Sequence, residues 1–358
     1  MISVSRRIAF DVLMRVETAG AFAADLLHSA CVGLESRDAG LAAEITMGCL
    51  RRQAQLDWLI ARAAARPIGK MDPEVRVALR MGLYQLRHLD RVPAHAAVSE
   101  SVELTRRAKK QSASGLVNAL LRKAPRGEVA FPSDAIRLSM PEWLLDRWRA
   151  RWGREVADAA AGAALITPKT YVRPDGRIQD IGSQWVIPLL DPRSGETFLD
   201  LCAAPGNKTA QAVELGVTAV ACDRHVHRLR QMENLPCQRL ALDATQPLPF
   251  SVRFDRILVD APCSGTGTLA RNPEIKWRLK PDDLADLHAR QTAILRHALP
   301  HLAPRGRLVY STCSLEAEEN EDVVKEVMGS LPEHHYRLPG REEGDGFFAA
   351  IISGSEVS

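Results

Sequence analysis

Phe198-Leu-Asp-Leu-Cys-Ala-Ala-Pro-Gly-Asn-Lys-Thr209 runs an apolar segment into a Pro-Gly turn and out again into helix-compatible residues. Strand, tight turn, then helix is the layout with which an open α/β sheet cradles a nucleotide-type cofactor. The pattern continues on both sides of it. Strands are expected at 197–202, 217–223, 238–243, 256–260, 307–311 and 347–352. Helices are expected between most of them, notably over 283–302 and 318–328, and this alternation predicts a doubly wound α/β sheet.

Carboxylates fall where such a sheet binds its ligand, at the carboxyl ends of the strands. Asp223 ends the second strand 17 residues past Gly206, near the separation at which an acid meets ribose hydroxyls, and Asp243 ends the third, within reach of an adenine amine. The turn holds one glycine after a proline and not the G-x-G-x-x-G of dinucleotide enzymes, so S-adenosylmethionine fits better than NAD.

Two cysteines follow apolar strands directly, in Asp260-Ala-Pro-Cys-Ser-Gly-Thr-Gly267 and in Tyr310-Ser-Thr-Cys-Ser314. Carbon 5 of a pyrimidine is a poor nucleophile. A thiolate adding to carbon 6 converts the ring into an enamine whose carbon 5 can accept a methyl group, and a second thiol can assist release of the first. A free thiol titrates too high for this unaided, and Lys208 is a candidate positive charge. Motif chemistry alone favours Cys263 as the attacking thiol, because the Pro262-Cys263 pair resembles the nucleophile motif of DNA cytosine methyltransferases.

Residues 1–125 read as helices throughout. Ile8, Val12 and Val16 recur four apart, and Ile45, Leu50, Leu56, Leu59 and Ile60 continue at helical spacing over 42–65. The charge is uneven: residues 1–130 carry 20 Lys/Arg against 13 Asp/Glu, whereas the remainder is net acidic. Arg51-Arg52, Arg106-Arg107, Lys109-Lys110 and Arg122-Lys123 supply that excess, which suits a polyanion such as RNA as well as it suits solvated helix faces. The stretch 124–132, with two prolines and a glycine, marks a boundary, and Pro141 opens a further helix.

The odd count of seven cysteines, with no C-x-x-C pair and no apolar leader behind Met1, predicts a cytoplasmic protein without disulfides or a zinc site. No apolar run reaches the roughly 18 residues that span a bilayer.

Together the cofactor loop, Asp260-Ala-Pro-Cys263 with Arg271-Asn-Pro-Glu-Ile-Lys-Trp277, and Ser311-Thr-Cys-Ser314 with Glu318-Glu-Asn320 resemble the RNA (cytosine-5)-methyltransferases of the Sun, or RsmB-like, type. Glu342-Glu-Gly-Asp-Gly-Phe-Phe348 resembles the last strand of that family. Gln55-Leu-Asp-Trp58, Gly82-Leu-Tyr-Gln-Leu86 and Val92-Pro-Ala-His95 resemble the NusB-like domain of its bacterial 16S ribosomal-RNA branch. The resemblance implies an N-terminal all-helical NusB-like bundle (1–125), linker helices with a shortened RNA-contacting segment (126–190), and a Rossmann-like adenosylmethionine-dependent methyltransferase domain (191–358). It further implies Cys313 as nucleophile, Cys263 for release, and Asp260 beside both cofactor and target base. Cys202, Ala203, Ala204, Pro205, Gly206, Asn207 and Lys208 would wrap the methionine part, with Asp223, Asp243 and Asp260 completing the cofactor site. Arg271, Lys276 and Trp277 would line the RNA path, the substrate being 16S ribosomal RNA or a small-subunit precursor. The other four cysteines, Cys31, Cys49, Cys222 and Cys237, are expected to pack.

Two departures stand out. Asn207 replaces a usual glycine, and asparagine tolerates left-handed backbone angles, so the turn is expected to survive. Between Thr170-Tyr-Val-Arg173 and Ile178-Gln-Asp180 only Pro174-Asp-Gly-Arg177 intervenes where relatives carry a small module, and Pro-Asp-Gly predicts a turn joining two extended pieces. A non-catalytic RNA-binding assembly factor with a vestigial cofactor fold, and a tRNA cytosine-5 methyltransferase, remain as alternative readings; intact Asp260, Cys263 and Cys313 argue against the first.

Overall fold

Strands β1 (Thr197–Asp200), β2 (Thr218–Asp223), β3 (Gln238–Ala241), β4 (Phe254–Asp260), β5 (Leu302–Thr312), β6 (His334–Arg337) and β7 (Phe347–Ser353) form one sheet in the order 3-2-1-4-5-7-6. The ladders from β3 to β5 are parallel, and β7 alone runs against its neighbours. Chain direction across the sheet reverses between β1 and β4, which opens a crevice at their carboxyl ends. This computed structural model describes residues 2–125 and 127–356. Met1, Arg126, Val357 and Ser358, which fall at the edges of the expected domains, lie outside the described residues.

The chain divides into two units, one of Met1–Thr167 with Leu269–Arg278 and one of Pro168–Thr268 with Leu279–Ser358. The first holds helices α1 (Val4–Ala19), α2 (Ala23–Ala30), α3 (Ser36–Arg51), α4 (Gln53–Ala64), α5 (Pro73–His88), α6 (Ala94–Arg107), α7 (Ser114–Lys123), α8 (Asp134–Arg137), α9 (Glu142–Trp152) and α10 (Arg154–Ala163). Their apolar stripes make the core: Ala9, Val12, Leu13 and Val16 of α1 are buried against residues of α3 and α5, while Ile8 stays half-buried. The helix expected over 42–65 breaks at Arg52. Ser139 Oγ accepts the freed N–H of Ala54 (3.0 Å) and Gln55 donates to the Arg137 carbonyl (2.6 Å), so the backbone groups of the break are satisfied.

In the second unit α11 (Ile181–Gln184), α12 (Val186–Leu190), α13 (Asn207–Val213), α14 (Val226–Leu229), α16 (Asp283–Ala298) and α17 (Glu321–Met328) surround the sheet, whereas α15 (Ile275–Arg278) belongs to the first. Alternate strand residues face opposite layers. Leu199, Ile257, Val259, Leu308 and Tyr310 pack with Ile294 and Leu295 of α16, and Phe198, Leu258 and Val309 pack with Val186 and Ile187 of α12. A sheet buried on both faces reads as continuous apolar runs, which is why β4 and β5 were legible. β6, His334-His-Tyr-Arg337, was not: it has no apolar alternation and becomes a strand by antiparallel pairing with β7.

The Pro174–Arg177 turn forms as expected. Arg173 N–H donates to the Arg177 carbonyl (2.9 Å), Gly176 N–H to the Arg173 carbonyl (2.9 Å), and Val172 bridges Ile178.

Candidate active site

β1 delivers the chain into the cofactor-type loop, whose curvature is fixed by backbone bonds. Ala203 N–H donates to the Cys222 carbonyl and Gly206 N–H to the Ala203 carbonyl, both at 2.8 Å. Gly206 has φ +101°, and a Cβ there would meet Met232 Cγ at 2.8 Å, so this position requires glycine on two counts. The turn survives as expected, and does so without a left-handed Asn207, which is the first residue of α13; the preceding Gly206 carries the left-handed angle. Its side chain instead donates to the Ile178 carbonyl (3.3 Å), and its own carbonyl accepts from buried Arg173 (3.1 Å).

A cleft of about 340 Å³ opens at the carboxyl ends of β1, β2 and β4, a size within the range of small-molecule sites. Of the loop residues, Cys202 and Ala204 line it. Ala203 and Gly206 are buried beneath, Pro205 is exposed, and Lys208 turns toward Asp260. Asp223 is 5% exposed and accepts from the N–H groups of His225 (2.8 Å) and Ala204 (3.3 Å). Asp243 accepts from the Thr245 hydroxyl (2.6 Å) and N–H (3.0 Å), which hold its carboxyl below the usual range. Leu242, Pro262 and Ile294 supply apolar wall. The sequence reading missed Arg228 and Arg290. Arg228 donates to the Ala204 carbonyl (2.8 Å) and lies 3.6 Å from Asp223. Neither arginine belongs to a motif; their positions on helices that follow the strand ends were the one signal available.

Cys263 and Cys313 follow β4 and β5, which are neighbours in the sheet, with Asp260 in register with Ser311. Their sulfur atoms lie 3.3 Å apart. The hydrogen bond to Cys313, then burial, then the charge a Cys313 thiolate would carry push the Cys263 thiol well above its ordinary range. Either sulfur can donate in this contact. Asp260 accepts from Lys208 Nζ (2.6 Å) on one oxygen and from the Ser311 hydroxyl (2.8 Å) on the other. Burial opposes the charge on Lys208, but Asp260 outweighs it and Cys313 adds to it, so the ammonium is held above its ordinary range. Gly267 ties the two loops: its N–H donates to the Cys313 carbonyl (2.8 Å), and a Cβ would meet that oxygen at 2.8 Å. Cys49 and Cys222 are buried, as expected of packing cysteines, and Cys31 and Cys237 are half-buried.

The expected RNA-path trio divides. Lys276 is 1% exposed and donates to the Arg51 carbonyl (2.8 Å), so it cannot meet a phosphate; burial pushes it down to about 7. Trp277 is half-buried and donates to the Leu50 carbonyl (2.8 Å). Arg271 is half-buried. Of the basic run on α6 and beyond it, Arg106 pairs with Glu103, Arg107 with Asp11 (2.7 Å) and Lys110 with Asp72 (2.9 Å), all on the surface.

A family model described as 16S rRNA methyltransferase RsmB/F matches residues 187–337, and one described as NusB family matches residues 3–126. Ribosomal RNA small subunit methyltransferase B of Cronobacter sakazakii is 31% identical over 97% of this chain and 98% of its own length. Its Escherichia coli counterpart is 34% identical over the same shares. The chain belongs to the ribosomal RNA small subunit methyltransferase B family. A methyltransferase homologue from Pyrococcus horikoshii, 26% identical, covers 63% of this family member and 99% of itself with a TM-score of 0.52. PH0851, at 20% identity, matches the fold over 98% of this chain and 99% of its own with a TM-score of 0.76. The protein is a methyltransferase with a NusB-like helical region and a Rossmann-like catalytic domain. Among the described residues no helix is long and apolar enough to cross a membrane.

Proposed function

We propose that this enzyme methylates carbon 5 of a cytosine in RNA, using S-adenosylmethionine and a covalent cysteine adduct, with 16S ribosomal RNA or a small-subunit precursor as substrate in the cytoplasm. The juxtaposition of Cys263 and Cys313 at 3.3 Å, beside a cleft of cofactor size, carries this reading. Methyl transfer to nitrogen or oxygen needs no thiol, whereas an unactivated pyrimidine carbon does.

The cleft residues suit the cofactor. Asp223 would hold ribose hydroxyls, Asp243 the adenine amine against Leu242, Pro262 and Ile294, and the loop from Cys202 through Lys208 the methionine part. Bound there, S-adenosylmethionine supplies an electrophilic methyl group.

Cys313 is the nucleophile in this mechanism. Ammonium Lys208 stands on Asp260 in the same site, and the Cys263 thiol, pushed well above its ordinary range, lies 3.3 Å from the sulfur of Cys313. The Cys313 sulfur adds to carbon 6 of the base, and carbon 5 gains the electron pair that accepts the methyl group. Water takes the carbon-5 proton, the C–H electron pair restores the ring double bond, and the bond from carbon 6 to sulfur breaks to expel the Cys313 thiolate, with Cys263 beside it assisting release. Asp260 accepts from the exocyclic amine of cytosine; uracil presents an oxygen at that position and would face the carboxylate unfavourably.

Mapping 5-methylcytosine in ribosomal RNA from cells with and without the gene tests the proposal. One position should lose its methyl group in the deletion strain and regain it with the wild-type gene. An unchanged map in ribosomal RNA, with a site lost in tRNA, would move the substrate; no change in either would sink the assignment.

A further inference from the structure

Glu319 is fully buried, in the short 3-10 turn Ala317–Glu319 that follows β5. Its Oε1 accepts from the Ser264 N–H (2.7 Å) and from Gln291 Nε2 (3.0 Å). Its Oε2 accepts from the hydroxyls of both Ser264 and Ser314. Ser264 and Ser314 are the residues immediately after the two cysteines. One carboxylate therefore gathers both thiol-bearing loops, through four donors that are all neutral.

The clamp extends to the other side of each cysteine. The Gln291 amide that donates to Glu319 also donates to the Pro262 carbonyl (2.9 Å), so Cys263 is pinned fore and aft. Asn320 accepts from the Thr312 hydroxyl (2.5 Å) and donates to the Ser314 carbonyl (3.0 Å), which fixes the residues on both sides of Cys313. The Tyr310 hydroxyl donates to the Glu319 carbonyl (2.6 Å) and seats the turn on the sheet. Burying a carboxylate against neutral donors is costly, and apolar side chains would fill the same space at lower cost. The arrangement is explained by what it holds.

We propose that Glu319 is a positioning residue that sets the separation of the Cys263 and Cys313 sulfur atoms, and so couples attack on the base to its release. The role rests on the two-cysteine mechanism above. A carboxylate suits it better than an amide, because four donors converge and an amide has one acceptor oxygen. Its negative charge also discourages a second thiolate at Cys263, in keeping with the direction in which that thiol is shifted.

Thiol proximity can be read without RNA. Diamide oxidises two adjacent thiols to a disulfide and takes up their two hydrogens itself, and peptide mass then reports the Cys263–Cys313 bond. Wild type should form it readily. Glu319→Ala should form it at least about tenfold more slowly, since displacements near 1 Å cost reaction rates on that scale or more. Glu319→Gln should fall between, and cofactor affinity should stay near wild type because Glu319 does not line the cleft. With RNA and cofactor present, the rates of adduct formation and of adduct decay should both fall. Should Glu319→Ala fail to fold, Ser314→Ala removes one donor with little volume change and should slow the disulfide in the same direction. Wild-type disulfide rates in folded Glu319→Ala, or in Ser314→Ala, would overturn the positioning role. A disulfide rate that depends on Glu319 in a protein that never forms an RNA adduct would instead overturn the mechanism on which the role rests.

Discussion

The sulfur atoms of Cys263 and Cys313 meet at 3.3 Å although 50 positions separate the residues. Adjacent parallel strands bring this about. β4 and β5 pair with Asp260 opposite Ser311, and each chain leaves its strand at the same end of the sheet. The carboxyl ends of a parallel sheet are where separate loops converge, so residues distant in sequence become one site. Lys208, in the first turn of α13, reaches the same place through Asp260 at 2.6 Å.

The two cysteines should give opposite phenotypes. Cys313→Ser should abolish methylation and form no RNA adduct, because a serine hydroxyl is a far weaker nucleophile at neutral pH. Cys263→Ser should still attack but release slowly, leaving a protein–RNA species that survives denaturing electrophoresis. Adduct accumulation in Cys313→Ser, with none in Cys263→Ser, would exchange the roles.

Asp223→Ala should weaken S-adenosylmethionine binding by about 1–3 kcal/mol, the usual cost of removing a buried polar partner. Titration calorimetry on the full chain measures it directly. Unchanged affinity would remove Asp223 from the site, and absence of wild-type binding would argue for a vestigial fold.

Much of this site was legible in the sequence because its parts are local. Asp223, Asp243, Asp260, Cys263 and Cys313 each end or follow an apolar run, and a run of that kind needs no distant partner to be read as a strand. What escaped the reading depends on long-range pairing. β6 exists because β7 offers it a ladder, and the break at Arg52 is satisfied by Ser139, 85 positions from Ala54. Lys276 reads as a surface charge, yet its acceptor is a carbonyl 225 residues away. The turn at Asn207 survives for a reason that composition does not show: the left-handed conformation belongs to its neighbour Gly206, and composition cannot say which of two adjacent residues carries it.

Replacing Arg106, Arg107, Lys109 and Lys110 together should lower RNA affinity and flatten its dependence on salt, while methyl transfer persists at saturating RNA. Arg106, Arg107 and Lys110 pair with Glu103, Asp11 and Asp72, but exposed pairs are worth at most about 1 kcal/mol and yield readily to phosphates. Binding measured across a salt series decides the matter. An unchanged slope would assign these charges to a solvated face.

Lys276 should make folding depend on pH in a way its neighbours do not. Burial lowers its folded value from 10.5 to about 7, with Arg51 and Arg52 adding to the shift. Above the folded value the buried amine is neutral while the unfolded chain still binds the proton, so stability rises with pH from about 7 towards the unfolded value of 10.5. Below about 7 the folded protein must carry a buried ammonium held by the Arg51 carbonyl, and the penalty is present in full. Lys276→Met keeps the length and drops the charge. Its urea midpoint should therefore exceed or approach that of wild type at acid pH, and the difference should move in favour of wild type as pH rises through the weakly alkaline range. Fluorescence of Trp277, the next residue, offers a local probe of the transition. Parallel midpoints for the two proteins across that range would mean that Lys276 reaches solvent, and would return it to the residues available for RNA.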